Sequence, residues 1–175
     1  IPKDNILGSP EIDPKKGFGG VMQTFDNTRP IVAAMALGVA RASLEVTETF
    51  LKEAGVDTRM RGSRWTQHAA AAELHRMKAE LEAARLLTLK AAWMADNGIP
   101  NSVEASMAKA KAGRTANEVT LRCVELCGGT GYGETELLEK WARDSKILDI
   151  FEGTQQIQLL VVARRLLGLS SSELA

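Results

Sequence analysis

Helical periodicity runs through nearly the whole sequence and restricts its possible folds more than any other feature. The first apolar stripe steps by three or four residues along one face, through Val32, Met35, Val39, Ala42, Val46 and Phe50. This stripe predicts a long helix that begins near Phe18 and ends at Gly55. We expect Pro30 to disrupt the helix, because a proline lacks the backbone donor and clashes with the preceding turn.

The next two helices follow from similar stripes. One stripe predicts a helix over about residues 66–97, and Gly98 stops it. Asn101 and Glu104 resemble a capping box at the start of a third long helix, which ends at Gly128. Each of these helices is long enough to cross a small domain from end to end.

Two shorter helices complete the chain, over about residues 135–146 and 154–168. β-Branched residues do not alternate with polar ones after residue 8, so strands are not expected there. The sequence therefore predicts an all-α fold, an antiparallel up-and-down helical bundle with short loops. In the last helix, the residues expected to face inward are Ile157, Leu160, Ala163 and Leu167.

The balance of charges and the two cysteines indicate which binding partners and which cellular compartment to expect. The 22 basic and 22 acidic residues balance, so no net field attracts nucleic acid or an anionic membrane. No apolar run is expected to reach the ~20 residues that span a bilayer. Cys123 and Cys127 lie four apart in a helical stretch, where they suit a core better than a disulfide. A cytoplasmic location in a reducing compartment is the resulting prediction.

Metal and nucleophile chemistry finds little support in the sequence. A di-metal bundle needs inward Glu-x-x-His pairs, but Trp65 and Ala72 stand three positions before His68 and His75. We therefore predict no metal. The glycine-rich segment after Cys127 also lacks the Lys-Ser/Thr ending of a phosphate-binding P-loop.

Three segments interrupt the helical pattern, and each has a purely structural interpretation. Residues 25–30, Phe-Asp-Asn-Thr-Arg-Pro, could be a kink with a local ion pair. The glycines of residues 128–133 could simply end a helix. Glu152, just before the last helix, could be a surface acid near a positive helix end. Alternatively these segments bind a ligand and carry a base, and spacing alone does not decide.

The order of four motifs resembles the C-terminal helical domain of the acyl-CoA dehydrogenases. These motifs are FDNTRP at residues 25–30, ELCGGTGY at 125–132, RDSKI at 143–147 and IFEGTQQIQ at 150–158. The resemblance covers essentially all 175 residues. It implies that residues 1–16 are the tail of a preceding β-domain with its connector, residues 1–8 resembling a strand, and that 17–175 form the helical domain. The family's N-terminal and middle domains would be missing from this chain.

The resemblance also implies how substrate is handled. Glu152 matches the family's base, which removes the α-proton of an acyl-CoA thioester while the β-hydrogen leaves as hydride to a flavin. Some branches carry the base at the position of Thr28, and a threonine cannot do that work. Asp26, Thr28 and Arg29 match a segment that contacts CoA, and Gly153 would lie beside the thioester.

Flavin contacts are implied at seven positions: Gln67, His68, Glu125, Gly128, Gly129, Thr154 and Gln156. Gly128 and Gly129 match a loop that meets the FAD of a neighbouring subunit. At position 125 this chain has glutamate where the family usually has glutamine. The two differ in hydrogen bonding, since an ionised carboxylate accepts hydrogen bonds but does not donate them. The family's Arg-x-x-Phe-Gly segment is also absent, with Arg59, Arg61 or Arg64 as possible replacements.

Three hypotheses about function remain. The first is the C-terminal part of an FAD-dependent acyl-CoA dehydrogenase of fatty-acid or related thioester metabolism. As a flavoprotein oxidoreductase it would act as a homo-oligomer, dimer or tetramer, with electron-transfer flavoprotein as acceptor. The second is an isolated helical oligomerisation module, inactive in this truncated form. The third is an inactive or redirected family member.

Overall fold

A computed structural model describes residues 2–6, 14–60, 62–63, 65–169 and 173. Within them the chain is almost entirely helical, and no strand occurs, which confirms the predicted all-α fold. A 3-10 turn, Lys3–Asn5, is followed by five α-helices: α1 Pro14–Glu53, α2 Ala69–Asp96, α3 Ser102–Tyr132, α4 Leu138–Ile150 and α5 Gln155–Leu167.

Successive long helices run in opposite directions, so that α1 and α3 are parallel and α2 is antiparallel to both. Near the start of α3, Asn101 contacts Asp26 of α1. At the other end, the Cys127 thiol lies 3.7 Å from the hydroxyl of Thr47. α4 then runs back along α3, and α5 packs against the first half of α3. This is the up-and-down bundle that the sequence predicts.

The core is built from small side chains, which lets the helices approach closely. Its fully buried alanines lie on α1, α2 and α3: Ala36, Ala40, Ala84, Ala91, Ala108, Ala112 and Ala116. Cys123 and Cys127 are free thiols in this core, as predicted. Burial raises the pKa of Cys123 to about 11, so this thiol is unreactive at neutral pH.

The prediction that Pro30 disrupts the first helix is wrong, because α1 remains helical through it. A proline at this position cannot donate to the carbonyl oxygen of Asp26, one turn earlier. The side chain of Asn101 supplies the missing donor, with its Nδ2 3.5 Å from that oxygen and 3.0 Å from the carbonyl oxygen of Ala91. A donor from another segment thus stabilises the interrupted helix.

The same contact explains why the predicted capping box is wrong. Asn101 is the N-cap residue of α3, but its side chain makes no capping hydrogen bond. Its amide points towards α1 and α2 instead, and Glu104 pairs with Lys90 of α2 at 3.3 Å. A pattern of local residues was overridden here by tertiary contacts.

Several boundaries differ from the sequence predictions. α1 begins four residues before Phe18, and α4 covers Leu138–Ile150 rather than 135–146. Gly128, with φ 56°, interrupts α3 where its end was expected. The expected strand over residues 1–8 is a 3-10 turn at Lys3–Asn5, while residues 1, 7 and 8 lie outside the described part.

α1 includes one segment, Gly19–Glu53, that by length and composition alone could cross a membrane. Its most apolar 18-residue window has a mean hydropathy of 1.3, and 44% of that window is buried in the bundle. The core helix of a soluble protein has the same properties.

In the described residues, no group of three His, Cys, Asp or Glu side chains is arranged to hold a metal ion.

Glu48 links α1 to α2 and predicts a pH dependence. Its carboxylate accepts hydrogen bonds from Lys78 at 2.6 Å and Lys52 at 3.1 Å, and these partners lower the pKa of Glu48 from 4.5 to about 2. A carboxyl whose pKa is lowered by folding stabilises the protein above its unfolded value and loses that contribution as pH falls. We expect Glu48→Gln to lower the free energy of unfolding by about 1 kcal/mol at pH 7.

The loss should fade between pH 4.5 and about 2, as measured by urea unfolding at several pH values. Glu45→Gln is the matched control, since Glu45 lies one turn away in an exposed pair with Arg41. Equal effects of the two substitutions, or an effect of Glu48→Gln that is constant with pH, would contradict the assignment.

Candidate active site

The loop between α4 and α5, residues 151–154, brings Glu152 against α1. Glu152 has φ 61°, the only positive φ of a non-glycine residue in the described part of the chain. Gly153 follows with φ 98°. A left-handed backbone costs an L-residue about 1–3 kcal/mol, and such strain concentrates at functional sites. The surrounding contacts must therefore hold this loop in place.

The Glu152 side chain meets Thr28, 124 positions earlier in the chain. The hydroxyl of Thr28 donates a short hydrogen bond to Oε2 of Glu152, and both residues are only partly exposed. Positions 152 and 28, which match the two places where different branches of the family carry the base, are thus neighbours in space. The fold brings a carboxylate and a hydroxyl together at one point on the side of the bundle.

Two fully buried polar residues hold the loop from inside. Nζ of Lys109, on α3, donates to the carbonyl oxygens of Asp149 at 2.9 Å and Gly153 at 2.7 Å. Nε2 of Gln158, on α5, donates to the carbonyl oxygens of Glu152 at 3.0 Å and Gly153 at 3.1 Å. Burial lowers the pKa of Lys109, and the nearby charges of Asp149 and Glu152 partly oppose that effect.

Arg29 and Asp26 form the local ion pair that the structural interpretation predicts. Arg29 is 5% exposed, and its guanidinium lies 2.7 Å from Oδ1 of Asp26 and 3.4 Å from the hydroxyl of Ser106. It also lies 5.8 Å from the ring centre of Phe25. The backbone of α1 stays helical through this segment. Arg29 thus points into the bundle beside the Glu152 site.

Thr154 and Gln156 stand at the start of α5. The hydroxyl of Thr154 accepts from the backbone N–H of Ile157 at 3.4 Å and caps the helix. Gln156 is exposed in the first turn, where backbone N–H groups lack partners within the helix. Both residues lie within four positions of Glu152, so the structure gathers them with the predicted base.

The remaining predicted flavin contacts lie at the opposite end of the bundle. His68 caps α2, with Nδ1 accepting from the N–H of Ala70 at 3.2 Å, and Gln67 donates to the carbonyl oxygen of Arg59 at 3.2 Å. Both line an open depression of about 600 Å³ beside the end of α1. Gly128 and Gly129 are exposed near the end of α3. The predicted site residues therefore form two separate groups.

The sequence departs from the family pattern at Glu125 and in the segment 56–65, and the structure shows the ion pairs of the charged residues there. Glu125 is exposed and pairs with Arg122, which also lies 3.3 Å from Glu73. Arg59 is exposed and pairs with Asp57 at 2.9 Å. The other two arginines considered as replacements, at positions 61 and 64, lie outside the described residues.

Lys109 and Gln158 were missed by the sequence reasoning, although a signal existed. Lys109 lies one residue from Ala108 and three from Ala112 on the buried stripe of α3, where a charge is unusual. The inward face predicted for α5 is wrong: Ile157, Leu160 and Leu167 are exposed, and Gln158 is the buried residue of this helix. Gln158 was not predicted to be buried because the residues around it on α5 are more apolar.

The family model described as "Acyl-CoA dehydrogenase, C-terminal domain" matches residues 15–167. This chain belongs to the acyl-CoA dehydrogenase family. The membership agrees with the four motifs and with the position of Glu152 beside Thr28.

Individual relatives support the same assignment. The chain is 40% identical to the bovine mitochondrial short-chain specific acyl-CoA dehydrogenase, covering 95% of this chain and 39% of the relative. It is 36% identical to the probable acyl-CoA dehydrogenase YngJ of Bacillus subtilis, covering 95% and 42%. Butyryl-CoA dehydrogenase from Megasphaera elsdenii superimposes with a TM-score of 0.82 at 37% identity, covering 95% and 42%. The chain thus spans about two fifths of each relative's length.

Proposed function

We propose that this chain is the C-terminal part of an FAD-dependent acyl-CoA dehydrogenase, and that Glu152 is the base of its α,β-dehydrogenation. The observation that carries the proposal is the contact of Glu152 with Thr28 on a strained loop. Strain of this kind persists only where other interactions maintain it, and here two buried donors do so. The carboxylate is thereby held in one orientation before substrate binds.

The chemistry assigned to this chain is proton removal. Glu152 takes the α-proton of the acyl-CoA thioester, and the β-hydrogen departs as hydride, which leaves a double bond between the two carbons. FAD, when bound, supplies the hydride acceptor. The hydroxyl of Thr28 orients the carboxylate through its hydrogen bond. Gly153, next to the base, is the residue proposed to lie beside the thioester.

Residues of both groups suit a flavin nucleotide. Thr154 and Gln156 stand at a helix N-terminus, where unpaired N–H groups and the helix dipole favour phosphate and ribose oxygens. An added Cβ at Gly128 or Gly129 would meet no atom within 4 Å, so a ligand can approach the backbone there. Gln67 and His68 flank the depression beside α1. We propose that this distant group serves the FAD of a neighbouring subunit.

CoA recognition is proposed at Asp26, Thr28 and Arg29. Because Arg29 is buried against Asp26 and Ser106, its proposed contribution is a fixed positive charge beneath the site. Electron-transfer flavoprotein is the proposed electron acceptor, and a homo-oligomer the proposed assembly. A cytoplasmic location also remains a prediction, based on the two free cysteines.

The direct test is flavin content and turnover of the full-length protein. We expect it to be yellow when purified, and its flavin absorbance to bleach when butyryl-CoA is added without oxygen. Butyryl-CoA is the first substrate to use because relatives with short-chain and butyryl names are similar to this chain. A flavin-loaded protein that no acyl-CoA of short or long chain reduces would contradict the proposal.

A second candidate is favoured by exposed apolar side chains. Large apolar residues are exposed along α2 and α5: Leu86, Leu89, Trp93, Ile157, Leu159, Leu160, Leu166 and Leu167. By itself this chain would then be an oligomerisation module without activity. Purified alone, it should be colourless and self-associate in sedimentation analysis, and stoichiometric FAD in that preparation would exclude this reading.

A further inference from the structure

We infer that Lys109 and Gln158 are positioning residues that hold the Glu152 loop by its carbonyl oxygens and so aim the carboxylate at substrate. The inference rests on the proposed role of Glu152 as the base. Both side chains are fully buried, come from different helices, and donate to the same carbonyl oxygen of Gly153. We call these two residues the carbonyl clamp.

Packing alone does not account for a lysine at position 109. Burying an ammonium group costs several kcal/mol unless it is well compensated, and a methionine would fill similar space without that cost. The amine instead donates to the carbonyl oxygens of Asp149 and Gly153, at the end of α4 and in the loop. Its two bonds therefore span the segment that contains Glu152.

The clamp determines the orientation of two successive peptide groups. Because a trans peptide is planar, a carbonyl that points inward directs the N–H of the next residue outward. The inward carbonyls of Glu152 and Gly153 thus turn the N–H groups of Gly153 and Thr154 away from Lys109 and Gln158. Glu152 can keep φ 61° only while these bonds hold it.

Without the clamp, the loop should relax towards the negative φ that an L-residue prefers. The carboxylate would then move relative to Thr28, its only side-chain hydrogen-bond partner in the described residues. A displacement of about 1 Å at a reacting group can lower turnover by about 10²-fold. The clamp should therefore affect turnover more than substrate affinity.

The test uses Lys109→Met in the full-length protein, which removes both hydrogen bonds while keeping the length of the side chain. Lys111→Met is the matched control, because Lys111 lies two residues further along α3 and pairs with Glu80 at the surface. We expect Lys109→Met to lower kcat for butyryl-CoA about 10²-fold, with KM within about 3-fold and unchanged flavin content. Lys111→Met should leave kcat within about 2-fold of wild type.

Hydrogen–deuterium exchange gives a readout independent of activity. In Lys109→Met, peptides covering residues 150–156 should exchange at least about tenfold faster, while peptides from α2 stay unchanged. A folded, flavin-loaded Lys109→Met protein with wild-type kcat and wild-type exchange in the loop would overturn the inference. Should the wild type itself lack dehydrogenase activity, the proposed function fails, but the exchange result still tests the clamp.

Gln158→Met provides the second variant if Lys109→Met does not fold. It removes the other donor and should produce the same selective loss of kcat and faster loop exchange, at about tenfold. Wild-type values for Gln158→Met would overturn the inference. Loss of the fold in both variants would overturn it as well, because the two residues would then support the whole bundle rather than aim the base.

Discussion

Replacing Glu152 with glutamine should lower kcat of the full-length protein by about 10²–10⁴-fold, the usual contribution of a positioned general base. Glutamine keeps the size of the side chain, and its carbonyl oxygen can still accept the hydrogen bond from Thr28. It cannot take up a proton, however, so the α-proton of the thioester has no acceptor. The measurement is steady-state turnover of butyryl-CoA together with anaerobic bleaching of the flavin, and KM should change little.

The matched control is Glu82→Gln, which makes the same chemical change in the middle of α2. Glu82 is exposed and pairs with Arg85 at 2.8 Å, and it is not among the predicted site residues. We expect its kcat to stay within about 3-fold of wild type, since an exposed ion pair contributes at most about 1 kcal/mol. Full activity of Glu152→Gln would show that another group removes the proton, and the base assignment would be wrong.

Replacing Gly153 with alanine should lower the free energy of unfolding by about 2–5 kcal/mol. Two separate effects combine. An alanine must adopt φ 98°, and its Cβ would lie 2.4 Å from Nε2 of Gln158. Gln158 is fully buried and holds two carbonyl oxygens, so it has little freedom to move aside. Urea or thermal unfolding of the full-length protein measures the loss.

The substitution Gly38→Ala should instead raise the free energy of unfolding. Gly38 lies inside α1, and an added Cβ there meets no atom within 4 Å. Alanine in a helix interior is favoured over glycine by roughly 0.5–1 kcal/mol, so this variant should be slightly more stable than wild type. If Gly153→Ala unfolds at the same urea concentration as wild type, the close packing of Gln158 against the loop is not present in the protein.

Most of the fold was predictable because apolar periodicity reports local structure directly. The stripe from Val32 to Phe50 predicted α1, and glycine signals predicted its end correctly. The helix α5 was predicted correctly, but its predicted inward face was wrong, since periodicity identifies an apolar face but not what covers it. Ile157 and Leu160 lie on such a face, yet in this chain that face is exposed. An apolar stripe therefore predicts the buried face of a helix only where that face packs against the other helices of the same bundle.

The site was less predictable from residues alone. Spacing could not distinguish Glu152 as a base from a surface acid, and only the resemblance to a family favoured the base. Its positive φ is not expected for a glutamate, because this region favours glycine and asparagine. The roles of Lys109 and Gln158 depend on carbonyl groups of a loop 40 or more positions from Lys109, a relation that no local pattern contains.

The bridging of Pro30 by Asn101 has a consequence for how α1 acquires its stiffness. A helix with an internal proline ordinarily behaves as a hinge, because one rung of its hydrogen-bond ladder is missing. Here the donor for that rung comes from the junction of α2 and α3. A peptide containing only α1 should therefore bend at this point, and the helix becomes a rigid rod only after the neighbouring hairpin has docked against it.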